Sequence, residues 1–129
     1  MKIKEIMIKP ESIGPEATIK DAVVKMNNLK IGSLIVIGDS RVIGIITDGD
    51  VVRRFVPMDK PASQVTVEEI MSSKLIIVDP NESIEYAAHL MAEKDIKHLP
   101  IIDKRRLVGI LTASMILEHA PDIGIDALF

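Results

Sequence analysis

The sequence contains no cysteine and no tryptophan, and aromatic residues make up only 2% of its 129 residues. Without cysteine, the chain can form no disulfide, no thiolate zinc site and no thiol nucleophile. Because aromatic rings are scarce, the core must be built from branched aliphatic side chains, which can pack densely without them. Hydrophobic residues make up 47% of the chain, which suffices for one compact domain or two half-sized units.

Long apolar runs and an excess of positive charge are also missing. No uncharged run approaches the roughly 20 residues that a membrane helix needs, and the first residues are too often charged for a signal peptide. The formal net charge of -3 provides no overall field that would attract nucleic acid or an anionic membrane. We therefore expect a soluble, cytoplasmic protein that contacts no membrane and whose partners do not include nucleic acid.

Patterns for metal binding and covalent catalysis are lacking as well. The three histidines, His89, His98 and His119, are scattered and show no zinc-ligand spacing. No glycine-rich phosphate loop follows a predicted strand, and no serine stands in a nucleophile elbow. We predict no metal site, no catalytic residue, no required cofactor and no enzymatic activity.

The sequence does contain an internal repeat. When the chain is shifted by 65 residues, residues 15–47 match residues 80–112 without a gap, and eleven positions are identical. Upstream, residues 3–7 match residues 67–71 with an offset of 64. Since a unit of about 55 residues is marginal alone, we expect the two copies to pack sheet to sheet with pseudo-twofold symmetry.

Each copy has the pattern β-α-β-β-α, so the predicted fold class is α/β (α+β). An extended stretch (12–13; 75–78) precedes a helix capped by Thr18 or Ser83, then a hairpin with a polar, solvated turn (38–41; 103–106), then a second helix (49–55; 114–119). We divide the chain into repeat 1 (1–55), a linker (56–64), repeat 2 (65–120) and a tail (121–129). The apolar tail is expected to dock on the body or on a partner subunit.

The corner where the second strand of the hairpin meets the second helix differs between the two copies. In repeat 1, Thr47 is a natural N-cap and Asp50 follows in the first turn, where a carboxylate complements the helix dipole. The residues alone favour simple capping over ligand binding. In repeat 2, Thr112 is kept but Met115 replaces the aspartate, and a thioether is a much weaker hydrogen-bond acceptor.

The motifs carry a resemblance to a known family. The order hydrophobic-x-x-Ile-Met, Pro-x-x-Ser/Thr-Ile-x-x-Ala, Leu-Pro-Ile-Ile-Asp and Gly-Ile-Leu/Ile-Thr resembles the CBS domain, the repeat named after cystathionine beta-synthase. The chain resembles a stand-alone CBS pair over residues 1 to about 120. The resemblance implies a regulatory module that binds AMP, ADP, ATP or S-adenosylmethionine in clefts between the repeats, and a disc-like homodimer of pairs.

The resemblance also implies which residues would form the main nucleotide site. Asp50 would accept hydrogen bonds from the ribose hydroxyls, aliphatic side chains would enclose the adenine, and cations would face the phosphate. Arg53 is alternatively a solvated cation at a helix end, and His98 is alternatively a half-buried histidine beside a strand. The predicted nucleotide-binding residues are Ile46, Thr47, Asp50, Arg53, Lys74, Leu75, Ile76, Ile77, Lys97, His98, Leu99 and Pro100.

A second cleft should be poorer in partners for both ribose and phosphate. Its predicted residues are Ser12, Ile13, Gly32, Ser33, Leu34 and Thr112. The sequence thus predicts a non-catalytic sensor of an adenine nucleotide, acting on a regulated protein that it does not identify. The alternatives are an S-adenosylmethionine binder or a homodimeric interaction platform that needs no ligand.

Overall fold

The computed structural model of the protein describes residues 1–119 and divides the chain into two compact units. The central unit comprises Glu11–Leu75, and the terminal unit combines Met1–Pro10 with the chain from Ile76 onward. The expected docking of the tail, residues 121–129, lies outside the described residues.

The central unit contains a three-stranded sheet in the order β1-β2-β3. Strand β1 runs parallel to β2, which pairs with β3 in an antiparallel hairpin. Its elements are β1 (Ser12–Ile13), α1 (Ile19–Leu29), β2 (Ser33–Gly38), β3 (Arg41–Thr47), α2 (Asp48–Asp50) and α3 (Val67–Ile70). The terminal unit contains α4 (Ile84–Lys94), β4 (His98–Asp103), β5 (Arg106–Thr112) and α5 (Ala113–Glu118), with β4 and β5 antiparallel.

The predicted α/β fold class is confirmed, with two local differences. The extended stretch predicted at residues 75–78 forms only a single parallel bridge between Val78 and Ile101. The helix predicted at residues 49–55 is α-helical only over Asp48–Asp50 and continues as a π-helical turn over Val51–Phe55. The proposed linker contains two short 3-10 turns, Val56–Met58 and Ala62–Gln64.

Helices α1 and α4 form where the sequence combines a capping residue with apolar residues at helical spacing. In α1, Thr18 Oγ1 accepts a hydrogen bond from Asp21 N at 3.1 Å, and Asp21 Oδ2 accepts one from Thr18 N at 3.0 Å. In α4, Ser83 Oγ accepts from Tyr86 N at 3.0 Å. The buried faces consist of Ile19, Ala22 and Met26 in α1, and of Ile84, Ala87 and Met91 in α4.

The opening segment of each repeat, residues 1–10 in repeat 1 and residues 65–75 in repeat 2, packs in the unit that holds the body of the other repeat. In the terminal unit, Ile8 forms an antiparallel bridge with Ile110. In the central unit, Ser72 forms the equivalent bridge with Ile45, with hydrogen bonds of 2.9 Å in both directions. The compact units therefore differ from the sequence repeats by a reciprocal exchange of these segments.

Two glycines at equivalent positions of the repeats make room for the exchanged segments. A Cβ on Gly44 would lie 2.7 Å from Met71 Sδ and 2.7 Å from the Ser72 carbonyl oxygen. A Cβ on Gly109 would lie 2.6 Å from Met7 Sδ. The glycine and the methionine recur in both repeats because each strand β3 or β5 is packed against the methionine of the other repeat.

Both hairpin turns have a left-handed backbone without using glycine. The loop residues have φ angles of 52° (Asp39) and 62° (Ser40) in one hairpin, and 50° (Lys104) and 67° (Arg105) in the other. Two-residue loops with two positive φ angles favour Asn-Gly or Asp-Gly, and the left-handed region costs other residues about 1–2 kcal/mol each. Lys104 and Arg105 therefore make the turn of the β4–β5 hairpin less stable than asparagine and glycine would.

The capping carboxylates make stability depend on pH. Hydrogen bonds from Thr18 lower the pKa of Asp21 below its ordinary value of 3.8, and hydrogen bonds from Thr66 lower the pKa of Glu69 below 4.5. A lowered folded-state pKa contributes stability that is present above the unfolded pKa and is lost as the pH falls through the folded pKa.

We expect Asp21→Ala/Glu69→Ala to be less stable than the wild type at pH 7, with the gap narrowing as the pH falls below about 4. Urea unfolding at a series of pH values measures this difference. A gap that stays constant down to pH 3 would show that the charged form of these carboxylates contributes nothing to folding.

Candidate functional site

The Thr47 corner joins strand β3 to helix α2 in the central unit. Thr47 Oγ1 accepts a hydrogen bond from Asp50 N at 3.1 Å, and Asp50 Oδ2 accepts one from Thr47 N at 3.0 Å. Asp48 N donates to the Gly32 carbonyl at 2.9 Å. The Asp50 carboxylate is thus held in a fixed position through one of its two oxygens.

The capping role predicted for Thr47 is confirmed, and it has a close counterpart within the same unit. The Thr18–Asp21 cap shows the same two hydrogen bonds at the same distances. The surroundings differ, because Asp50 is half-buried whereas Asp21 is exposed. Capping therefore explains the geometry of Asp50 but does not require its partial burial.

Arg53 lies beside this corner. Its Nη1 is 2.8 Å from the position that a Cβ on Gly49 would take, and that position is 3.6 Å from Thr47 Oγ1. The guanidinium is thus folded back toward the start of α2, on the side of the Thr47 cap. Its neighbour Arg54 has a different role, because its Nη1 donates to the Met71 carbonyl at 2.9 Å.

The first residue of strand β2 lies next to the Thr47 corner. Ser33 is the register partner of Thr47, and its side chain is buried. In β1, the Ser12 carbonyl accepts a hydrogen bond from Lys25 Nζ at 2.5 Å. Lys74 is exposed, and it lies outside regular secondary structure.

The terminal unit contains the equivalent Thr112 corner. Thr112 Oγ1 accepts from Met115 N at 3.2 Å, and the half-buried Met115 packs against the core of this unit. Ala113 N donates to the Lys97 carbonyl at 3.0 Å, and His98 is the register partner of Thr112. This corner therefore contacts the Lys97 backbone and lies beside His98, and Met115 stands where repeat 1 has the carboxylate of Asp50.

The structure divides the predicted nucleotide-binding residues between the two units. Ile46, Thr47, Asp50, Arg53, Lys74 and Leu75 belong to the central unit, and Ile76, Ile77, Lys97, His98, Leu99 and Pro100 belong to the terminal unit. Of the residues predicted for the second cleft, only Thr112 belongs to the terminal unit. That either set serves one ligand stays a prediction.

Several of the predicted aliphatic residues are core residues. The side chains of Ile46, Leu99 and Leu34 have no exposed surface, and Pro100 is also buried. Ile13, Leu75 and Ile76 are half-buried, and Ile77 is 54% exposed. Side-chain contact with adenine in the main site therefore stays a prediction for Leu75, Ile76 and Ile77, and Ile13 keeps this role only in the second cleft, while the core residues would contribute backbone groups.

Sequence reasoning missed three contributors to this region. Gly49 leaves the space that Arg53 uses, Arg54 ties the π-helical turn to the exchanged segment, and Lys25 binds the Ser12 carbonyl. The π-helical turn over Val51–Phe55 is itself a pointer to this region, because such turns occur often at functional sites. The long-range contacts have no local pattern that would have predicted them.

Two further observations apply to residues 1–119. No group of three histidine, aspartate or glutamate side chains in this part of the chain is placed to hold a metal ion. The helices within it are all too short or too polar to cross a membrane.

Comparison with known proteins gives consistent matches. The model of the CBS domain matches residues 3–57 and again residues 67–122. The CBS domain-containing protein YhcV of Bacillus subtilis is 35% identical over 100 residues, which cover 78% of this chain and 71% of that protein.

Two solved structures show the same fold. An uncharacterised conserved protein from Pyrococcus horikoshii is 34% identical, with a TM-score of 0.87 over 92% of this chain and 91% of that one. The CBS domain pair of protein MJ0100, solved with 5′-methylthioadenosine and S-adenosyl-L-methionine, is 26% identical, with a TM-score of 0.83 over 95% and 98%. With two tandem matches to the family model and these relatives, the chain belongs to the CBS domain family.

Proposed function

We propose that the chain is a non-catalytic regulatory module that binds an adenosyl ligand through the Thr47 corner. The observation that carries this proposal is the fixed, half-buried carboxylate of Asp50, with the Arg53 guanidinium beside the same corner. The complex of the related MJ0100 pair with two adenosyl compounds supports the ligand class.

Asp50 has the chemistry to recognise a ribose. Its Oδ2 accepts one backbone hydrogen bond, and an ionised carboxylate offers about four lone-pair sites in total. Two ribose hydroxyls can therefore donate to Asp50 without displacing the Thr47 amide. Hydrogen bonds to a charged group contribute roughly 1.5–3 kcal/mol each, so this contact would be a major part of the binding free energy.

The charge at the corner favours a nucleotide over S-adenosylmethionine. Arg53 brings a permanent cation, which attracts phosphate and repels the positively charged sulfonium. We therefore expect AMP, ADP or ATP to bind more tightly than S-adenosylmethionine.

The ligand preference can be measured by calorimetry and thermal unfolding. We expect AMP, ADP and ATP to release or absorb heat and to raise the melting temperature, because a ligand at 100 times its Kd stabilises the folded state by about 2.7 kcal/mol. A 2′,3′-dideoxy analogue of AMP is the matched control, since it lacks only the hydroxyls that Asp50 would recognise. Absence of heat from all of these ligands, with an unchanged melting temperature, would refute the proposal.

A homodimeric platform that acts without a ligand is the second candidate. Two exposed valines favour it: Val23 and Val52, which are 41% and 64% exposed, line the same open groove of the central unit, and neighbouring exposed apolar side chains often mark interaction surfaces. Analytical ultracentrifugation with and without AMP separates the two candidates. The platform predicts a dimer whose dissociation constant does not change with AMP.

A further inference from the structure

We propose that the turn of the β4–β5 hairpin is a docking site for an acidic peptide segment of a partner protein. The basic turn, as we call it, consists of Lys104, Arg105 and Arg106. It belongs to the terminal unit and shares no residue with the Thr47 corner of the central unit, so the inference does not depend on the proposed ligand site.

The three cations of the basic turn are adjacent and exposed. None of them has a side-chain hydrogen bond or an ion pair with any residue of the described part of the chain. Their guanidinium and ammonium groups are therefore available, and arginine in particular binds carboxylates through two parallel hydrogen bonds.

The backbone of the basic turn is poorly suited to these residues. Lys104 and Arg105 have φ angles of 50° and 67°, which asparagine and glycine adopt at lower cost. The amino acids at this turn are therefore not those that folding alone would favour. Residues held in an unfavourable backbone conformation often occur at functional sites.

The other repeat provides an internal comparison. Its turn has the same left-handed geometry, with φ angles of 52° and 62°, and the same two-residue connection between its strands. Residues 38–41 have no net charge, whereas residues 103–106 contain the three cations of the basic turn and the carboxylate of Asp103, which gives a net charge of +2. The fold itself therefore does not require cations at this position.

The distribution of charge favours a short acidic peptide over a long polyanion. The chain as a whole has a net charge of -3, so the attraction of the basic turn is local and is screened within about 10 Å at 0.1 M salt. Nucleic acids and anionic membranes are bound through extended basic surfaces, and single strands also need aromatic residues for stacking, which are scarce here. A few consecutive aspartate or glutamate residues match the size of the turn.

Fluorescence anisotropy tests this proposal with a short fluorescein-labelled peptide rich in Asp and Glu, and a Ser/Gly peptide of equal length. We expect the wild type to bind the acidic peptide at least tenfold more tightly than the neutral one at low salt. Lys104→Asn/Arg105→Gly should weaken that binding at least tenfold while raising the melting temperature by several degrees, because it relieves the backbone strain.

A charge-matched variant serves as the control. Lys20→Asn/Lys30→Asn removes two exposed lysines from another surface, and it also replaces a left-handed residue, since Lys30 has a φ of 55°. This variant should keep the affinity of the wild type. Arg106→Gln, which leaves the turn backbone unaltered, should weaken binding severalfold.

Three results would overturn the proposal. The first is equal affinity of the wild type for the acidic and neutral peptides. The second is a loss of affinity in the control variant as large as in Lys104→Asn/Arg105→Gly. The third is equally tight binding of a single-stranded oligonucleotide or of phosphatidylserine vesicles through the same residues, which would indicate a general anion-binding surface instead of a peptide site.

Discussion

Replacing Asp50 by alanine is expected to weaken AMP binding by about 10- to 100-fold for each ribose hydrogen bond that is lost. The estimate follows from 1.5–3 kcal/mol for a charge-assisted bond and 1.4 kcal/mol for each factor of ten in Kd. Asp50→Asn should weaken AMP binding less than Asp50→Ala, because its amide oxygen can still accept the hydrogen bond from Thr47 N. It should still bind AMP less tightly than the wild type, because the amide carries no charge. Calorimetric titration with AMP measures the change.

Two control variants separate ribose recognition from capping. Asp21→Ala removes a cap with the same hydrogen-bond distances in helix α1, so it reproduces the loss of helix stability without touching the Thr47 corner. Met115→Ala alters the equivalent position of repeat 2, where no carboxylate is present. Both should bind AMP like the wild type, and a loss of affinity in Asp21→Ala as large as in Asp50→Ala would show that the Asp50 effect arises from stability.

Replacing Gly44 by alanine is expected to lower the free energy of unfolding by about 1–3 kcal/mol, the usual cost of adding a methyl group to a filled space. The new Cβ would lie 2.7 Å from the Ser72 carbonyl oxygen, so the bridge between Ile45 and the exchanged segment would have to shift. Gly109→Ala should cost less, because the atoms that it meets belong to the flexible side chain of Met7. Urea unfolding gives both values.

A control variant and a compensating variant show whether the loss of stability comes from the close packing at Gly44 and Gly109. A Cβ on Gly14 would meet no atom within 4 Å, so Gly14→Ala should leave stability unchanged or raise it slightly. Met7→Ala should largely suppress the cost of Gly109→Ala, since a double-mutant cycle detects residues in contact. Equal costs for Gly14→Ala and Gly44→Ala would contradict the packing that the structure shows.

Local elements were predictable because their causes lie close together in the sequence. The Thr18 cap, the Ser83 cap and the two hairpins depend on residues a few positions apart, and all of them are confirmed. The π-helical turn after Asp50 was not predicted, because helical periodicity over so few residues does not distinguish an i+4 from an i+5 hydrogen bond. The prediction of a strand at residues 75–78 was also wrong, since this segment forms only the bridge between Val78 and Ile101.

The candidate site was predicted less completely than the fold. Capping by Thr47 followed from the sequence, as did the lack of an aspartate at Met115. The positions of Gly49 and Arg53 did not, since they depend on how a side chain folds back over a helix start. The side chains of Leu99 and Ile46, which the family resemblance assigned to the ligand site, have no exposed surface in the structure, because a resemblance in sequence does not distinguish a pocket wall from a core.

The sequence by itself determined the repeat, the capped helix followed by a hairpin in each copy, and the chemical difference between Asp50 and Met115. These features depend on residue identity and on short spacings. Only the tertiary structure decided that each opening segment packs with the other repeat, with Met71 on Gly44 and Met7 on Gly109. The two copies have nearly the same opening segment, so either partner satisfies the same hydrophobic pattern, and only the path of the whole chain selects between them.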